Sequence, residues 1–104
     1  MALERWGIPS FTPDTDTDLL TVGVGQEAAI WSILIASSAV ETANFIFKHT
    51  DTDGTTVIFQ WPLEKFSGES PTAIQAPVVM KAGDKIIVQC DKAEGSVLAS
   101  GEVK

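Results

Sequence analysis

Along the chain, short apolar runs are cut at regular intervals by Gly, Pro, Asp and Thr, the rhythm of an antiparallel β domain. Leu19 to Val24 is the first run after the N-terminal region, broken by Gly23 and Gly25. Ala29 to Ser37 follows and is apolar on both faces. Strict alternation sets Trp31, Ile33 and Ile35 against Ile30 and Leu34. Such a strand is central, or another subunit covers its outer face. Ala43 to Thr50 alternates cleanly, with Phe45, Phe47 and His49 on one side. Asp53-Gly54 is a hairpin signal, because both residues tolerate the positive φ of a primed turn. Thr55 to Trp61 returns with Val57, Phe59 and Trp61 on one face. Ile74 to Met80 is interrupted at Pro77, which points to an edge or a bulge. Lys85 to Asp91 and Ser96 to Val103 complete the set. About seven strands with short connections predict an all-β fold, a small antiparallel, jelly-roll-like β-sandwich. A helix over Gln26 to Val40 is the rival, but Trp31 and Ile35 would make it apolar nearly all round, and β-branched residues favour strands.

The first eighteen residues read differently. Pro9, Pro13 and the run Asp14-Thr15-Asp16-Thr17-Asp18 predict an extended N-terminal arm over 1–18, ahead of a sandwich domain over 19–104. The arm nevertheless carries Leu3, Trp6, Ile8 and Phe11, and burying each such group is worth roughly 1.5–3 kcal/mol. A segment without periodicity cannot bury them against itself. They are expected to pack on the domain or, as the preferred reading, on a neighbouring subunit or another surface of its assembly, together with Trp31, Ile33 and Ile35 of the two-faced strand as assembly contacts. Removing the arm would then leave the domain folded.

Composition narrows the function classes. With 104 residues and 44% hydrophobic content, one modest core is expected. Fourteen acids against seven bases give a net charge of −7. That balance opposes a nucleic-acid partner or an anionic membrane surface, both of which are held by Lys and Arg. The uncharged centre, Ala28 to Val40, is shorter than the roughly 18 residues of a membrane helix. Met1 to Phe11 has no apolar h-region, so neither a signal peptide nor a membrane span is expected. Cys90 is the only cysteine, which excludes an internal disulfide and a zinc site built on several thiolates.

Candidate chemistry is sparse. Gly23-Val24-Gly25-Gln26-Glu27-Ala28 fits G-x-G-x-x-A, but hairpins surround it where dinucleotide binding needs a parallel sheet, so it reads as a turn. Asp14, Asp16 and Asp18 open like a calcium loop, yet Leu19 and Gly25 stand where the loop needs Gly and Glu. A weaker ion site with Asp51 and Asp53 is the remaining option. His49 and Cys90 are each unique and would have to meet to act as a pair. No nucleophile elbow, phosphate loop or H-E-x-x-H is present. No catalytic, cofactor or metal residue is assigned, and the chain is expected not to be an enzyme. Trp6, Trp31 and Trp61 offer an aromatic platform for sugar, but Trp31 and Trp61 are expected to pack in the core or a subunit seam, where tryptophan brings large buried area.

The run Asp16-Thr17-Asp18-Leu19-Leu20-Thr21-Val22, its glycine turn and Ala29-Ile30-Trp31-Ser32-Ile33-Leu34-Ile35-Ala36 resemble small structural proteins of tailed-bacteriophage virions. Lys81-Ala82-Gly83-Asp84-Lys85-Ile86-Ile87-Val88 and the closing Gly95-Ser96-Val97 strand are similar to the same group. The resemblance implies a non-enzymatic virion part, made in the host cytoplasm, that decorates or cements the capsid. Its implied partners are further copies of itself, as a homotrimer, and other virion proteins such as the major capsid protein. A neck, tail or fibre component, or a carbohydrate-binding sandwich, is the alternative.

Overall fold

The structure is a computed structural model that describes residues 2–52, 56–65 and 71–104. Eight strands are present among them: β1 (Ala2–Ile8), β2 (Thr17–Thr21), β3 (Ala28–Ser37), β4 (Ala43–Thr50), β5 (Val57–Lys65), β6 (Thr72–Met80), β7 (Lys85–Cys90) and β8 (Gly95–Val103). They form two antiparallel four-stranded sheets, here sheet A in the order β1-β8-β3-β6 and sheet B in the order β2-β7-β4-β5. The pairs β1/β8, β2/β7, β3/β6 and β4/β5 are nested, as in one long hairpin rolled into two layers. This is the jelly-roll order. The Asp53-Gly54 turn lies outside the described residues.

The core between the sheets follows the alternation in the sequence. Phe45 and Phe47 from β4, and Ile86, Val88 and Cys90 from β7, are fully buried. Ile30, Ile33 and Ile35 from β3 and Met80 from β6 meet them from sheet A. Phe47 also stacks on Trp61, with centroids 5.4 Å apart.

Two sequence expectations are corrected. The segment read as an arm is largely a strand of the domain. Residues Ala2 to Ile8 pair with Val103 to Val97 along β8. Ile8 and Phe11 enter the chain's own core, where Phe11 packs edge-on to Phe45 at 5.9 Å. The backbone explains it: a β8 without β1 would present a row of unpaired donors and acceptors.

The second correction concerns β3. Its register slips between Ile30 and Ser32 against both neighbours, so Trp31 is an extra residue opposite β8. A bulge shifts the phase of the side chains that follow it. Ile30, Ile33 and Ile35 therefore all face inward, while Trp31 and Leu34 face outward. The same slip on β6 falls between Gln75 and Val78, at Pro77 on the edge of sheet A. Gly101 opposes Ile30 at the bulge, and a Cβ there would run into the Ala29 carbonyl.

Candidate functional site

The polar groups are placed to hold turns. His49 Nε2 lies 3.0 Å from Asp84 Oδ2, and both residues are buried. The Lys81 backbone N–H donates to the same oxygen at 3.0 Å, which fixes the turn between β6 and β7. Val22 clamps that turn from β2's side: its N–H donates to the Asp84 carbonyl, and its carbonyl accepts from Gly83 N–H, both at 2.9 Å. Asp91 does the same for β4. Its carboxylate accepts from the Asn44 backbone N–H at 2.8 Å and side-chain amide at 2.9 Å.

His49 and Cys90 do not meet. In the β4/β7 register, Cys90 opposes Phe45 and His49 opposes Ile86, four residues along the ladder. That separation is about 14 Å at strand rise. Burial pushes the Cys90 thiol above its ordinary value, although the Lys92 N–H works the other way. A thiolate there is disfavoured. Asp14, Asp16 and Asp18 are exposed, and Asp16 lies 3.5 Å from the Lys48 ammonium. Among the described residues, no three His, Cys, Asp or Glu side chains converge as metal ligands. Asp53 lies outside those residues. Gly23 to Glu27 forms the turn into β3, with Gln26 N–H bonded to the Gly23 carbonyl and Gly25 at φ 76°.

The three tryptophans are also apart. Trp6 is half-buried beneath β1, and Trp61 stacks on Phe47 at the opposite edge of the sandwich. Trp31 stands on the outer face of sheet A, 47% exposed. They form no common platform.

Of the seven residues expected to make assembly contacts, Ile8, Phe11, Ile33 and Ile35 are corrected to the interior. Trp6 is half-buried against the core. Leu3 and Trp31 remain at the surface, and the register places them on one face with residues the sequence reading passed over. Three rows cross sheet A from β1 to β6. The first is Leu3, Glu102, Ala29 and Val79. The second is Arg5, Ser100, Ser32 with Trp31 beside it, and Gln75. The third is Gly7, Leu98, Leu34 and Ala73. Leu3, Trp31, Leu34, Val79 and Leu98 are all exposed large apolar groups. Small residues between them leave shallow depressions, one beside Arg5, Trp31 and Ser100, another beside Gly7, Leu34 and Leu98. Within these rows only Arg5 and Glu102 are charged.

The outer face of sheet B is more mixed. Asp18, Lys48 and Glu64 lie there with Asn44, Gln60 and Gln89, interspersed with the apolar Ile46, Pro62 and Ile87, and Val57, Ile58 and Phe59 of the edge strand β5 are exposed. Sheet A gathers five exposed large apolar groups in three adjacent rows, a grouping of the kind that marks an interaction site.

No family model and no curated protein matches this chain. Its chemistry therefore rests on the geometry above.

Proposed function

We propose that this chain is a non-enzymatic structural protein of a tailed-bacteriophage virion, which decorates or cements the capsid through contacts between subunit surfaces. One observation carries the reading: the outer face of sheet A gathers five exposed large apolar groups in three adjacent rows that hold only two charged residues. On sheet B, by contrast, the charged Asp18, Lys48 and Glu64 are interspersed with Ile46, Pro62 and Ile87. A protein that worked through a pocket would gather polar groups in a cleft. Here the buried His49 and Asp84 and the half-buried, Asn44-bonded Asp91 hold turns, and the exposed apolar groups of sheet A lie on a broad face. The jelly roll itself serves capsid and lectin domains alike, so fold alone does not choose between them. The resemblance of the Asp16–Ala36 and Lys81–Val97 stretches to virion parts inclines the choice toward the particle.

The test is twofold. Mass spectrometry of purified particles should find the protein in stoichiometric copies, and labelled protein should bind particles that lack it. Trp31→Ser, on the proposed contact face, should weaken that binding by about tenfold or more, as expected of an aromatic anchor. Absence from the particle, or a selective glycan-array signal abolished by Trp31→Ser, would overturn the reading. A density map of the native particle would assign the copies to capsid, neck or tail.

A further inference from the structure

The outer face of sheet A is a four-stranded surface about 19 Å wide and 25–30 Å long at ordinary strand spacing and rise. Covering it with a like surface would bury on the order of 1,000 Å² in total, about the minimum for a specific protein contact. Two charged groups stand in its rows. Arg5, on β1, is exposed and forms no ion pair with any described residue. Glu102, on β8, is half-buried, and its Oε2 is shut away from water with no hydrogen-bond donor among the described residues. A carboxylate so placed lacks part of its hydration without a replacement. The rest of it lies at the surface, where a guanidinium brought from outside would compensate.

We infer that this face packs against the same face of a second copy of the chain, with Arg5 of each copy set against Glu102 of the other. The positions make the face self-complementary. Arg5 and Glu102 lie on adjacent strands one row apart, so a two-fold axis in the plane of contact can run between them diagonally across the sheet. With strands about 4.8 Å apart and rows about 6.8 Å apart, that axis passes close to Trp31. It brings the two copies of Trp31 together and sets Leu98 of one copy near Val79 of the other. The operation that pairs the opposite charges thus also covers the exposed apolar groups. The depressions beside Trp31 and Leu98 leave room for the projecting side chains. A contact of one patch with itself closes at two subunits. It predicts a dimer in place of the homotrimer expected from the sequence.

The inference rests on the reading of sheet A's outer face as a contact surface and adds the partner. Light scattering coupled to size exclusion on the full chain should give twice 11.1 kDa at micromolar concentration. Arg5→Glu alone and Glu102→Arg alone should each weaken the dimer about tenfold or more, and the double exchange should bring it back to within about threefold. Melting curves of all three variants, together with the far-ultraviolet spectrum, identify any that have lost the fold. Glu102→Gln and Arg5→Gln, which create no like-charge repulsion, then replace them and should each weaken the dimer several-fold. A monomer at all accessible concentrations, a trimer, or a dimer indifferent to the exchange overturns the inference. Wild-type particle binding measured alongside separates the two ideas. Binding by a chain that stays monomeric overturns the pairing and leaves the virion role standing. A charge-dependent dimer absent from particles does the reverse.

Discussion

Asp91 is a single residue with an outsized share of one junction. Burial works to raise its carboxyl, but the two hydrogen bonds from Asn44, with Lys92 nearby, more than offset this and hold it below the usual value. The sign follows. A folded value below the unfolded one, about 3.9, makes the contribution fully present above that pH and removes it as pH falls through the lower folded value. Asp91→Ala should cost about 1 kcal/mol at neutral pH, read from urea unfolding, and should flatten the acid limb of the stability curve. Cys90 behaves as a small core hydrophobe, and Cys90→Ala should cost roughly 1 kcal/mol. Its thiol should react with a maleimide only as fast as the chain opens. Rapid labelling of the native protein would contradict its burial. At Gly101 the neighbour is backbone rather than a movable side chain, so Gly101→Ala should cost about 1–3 kcal/mol despite adding one methyl group.

Among the elements, β1 and the bulge in β3 depart furthest from the sequence reading. Because β1 pairs along its length and Ile8 and Phe11 complete the core, deleting Met1 to Pro13 should unfold the chain, not release a stable domain. Circular dichroism of the truncated protein checks this, and retention of a cooperative melt would restore the arm model. Phe11→Ala should by itself cost about 3–5 kcal/mol. The bulge makes a sharper comparison. Trp31 and Ile33 have the same parity and would share a face in a regular strand. In β3 they point to opposite sides. Ile33→Ala should therefore lower stability by about 2–5 kcal/mol. Trp31→Ser should change it by no more than about 0.5 kcal/mol and act on association instead. Equal effects of the two would place both in the core.

For the whole molecule, the charge of −7 and the apolar face of sheet A act against each other. Two copies of one acidic chain repel at long range, and salt screens that repulsion over about 10 Å at 0.1 M. Contact between the faces is dominated by apolar area, which salt does not weaken. Sedimentation at rising sodium chloride should accordingly show tighter self-association. Dissociation by salt would mean that the Arg5–Glu102 attraction outweighs the apolar contact.

The sequence by itself determined the class of fold, because strand alternation is a local property. Phe45, Phe47 and His49 on β4, and Ile86, Val88 and Cys90 on β7, face inward as their spacing requires. Turn chemistry likewise placed most strand boundaries within two residues, and Pro77 marked the edge strand and its slip. Which strand lies beside which is a long-range matter, and four decisions waited for it. Pairing with β8 turned an apparent arm into β1. The bulge at Trp31, set by neighbours seventy residues away on β8, reversed the facing of Ile33 and Ile35. The separation of His49 from Cys90 followed from the β4/β7 register. The contact face needed Leu3, Trp31, Leu34, Val79 and Leu98 from four strands to share one surface, and no window of sequence contains them together. Side-chain period is written into each strand, whereas register is chosen by the whole core, since a one-residue slip exchanges the inside for the outside.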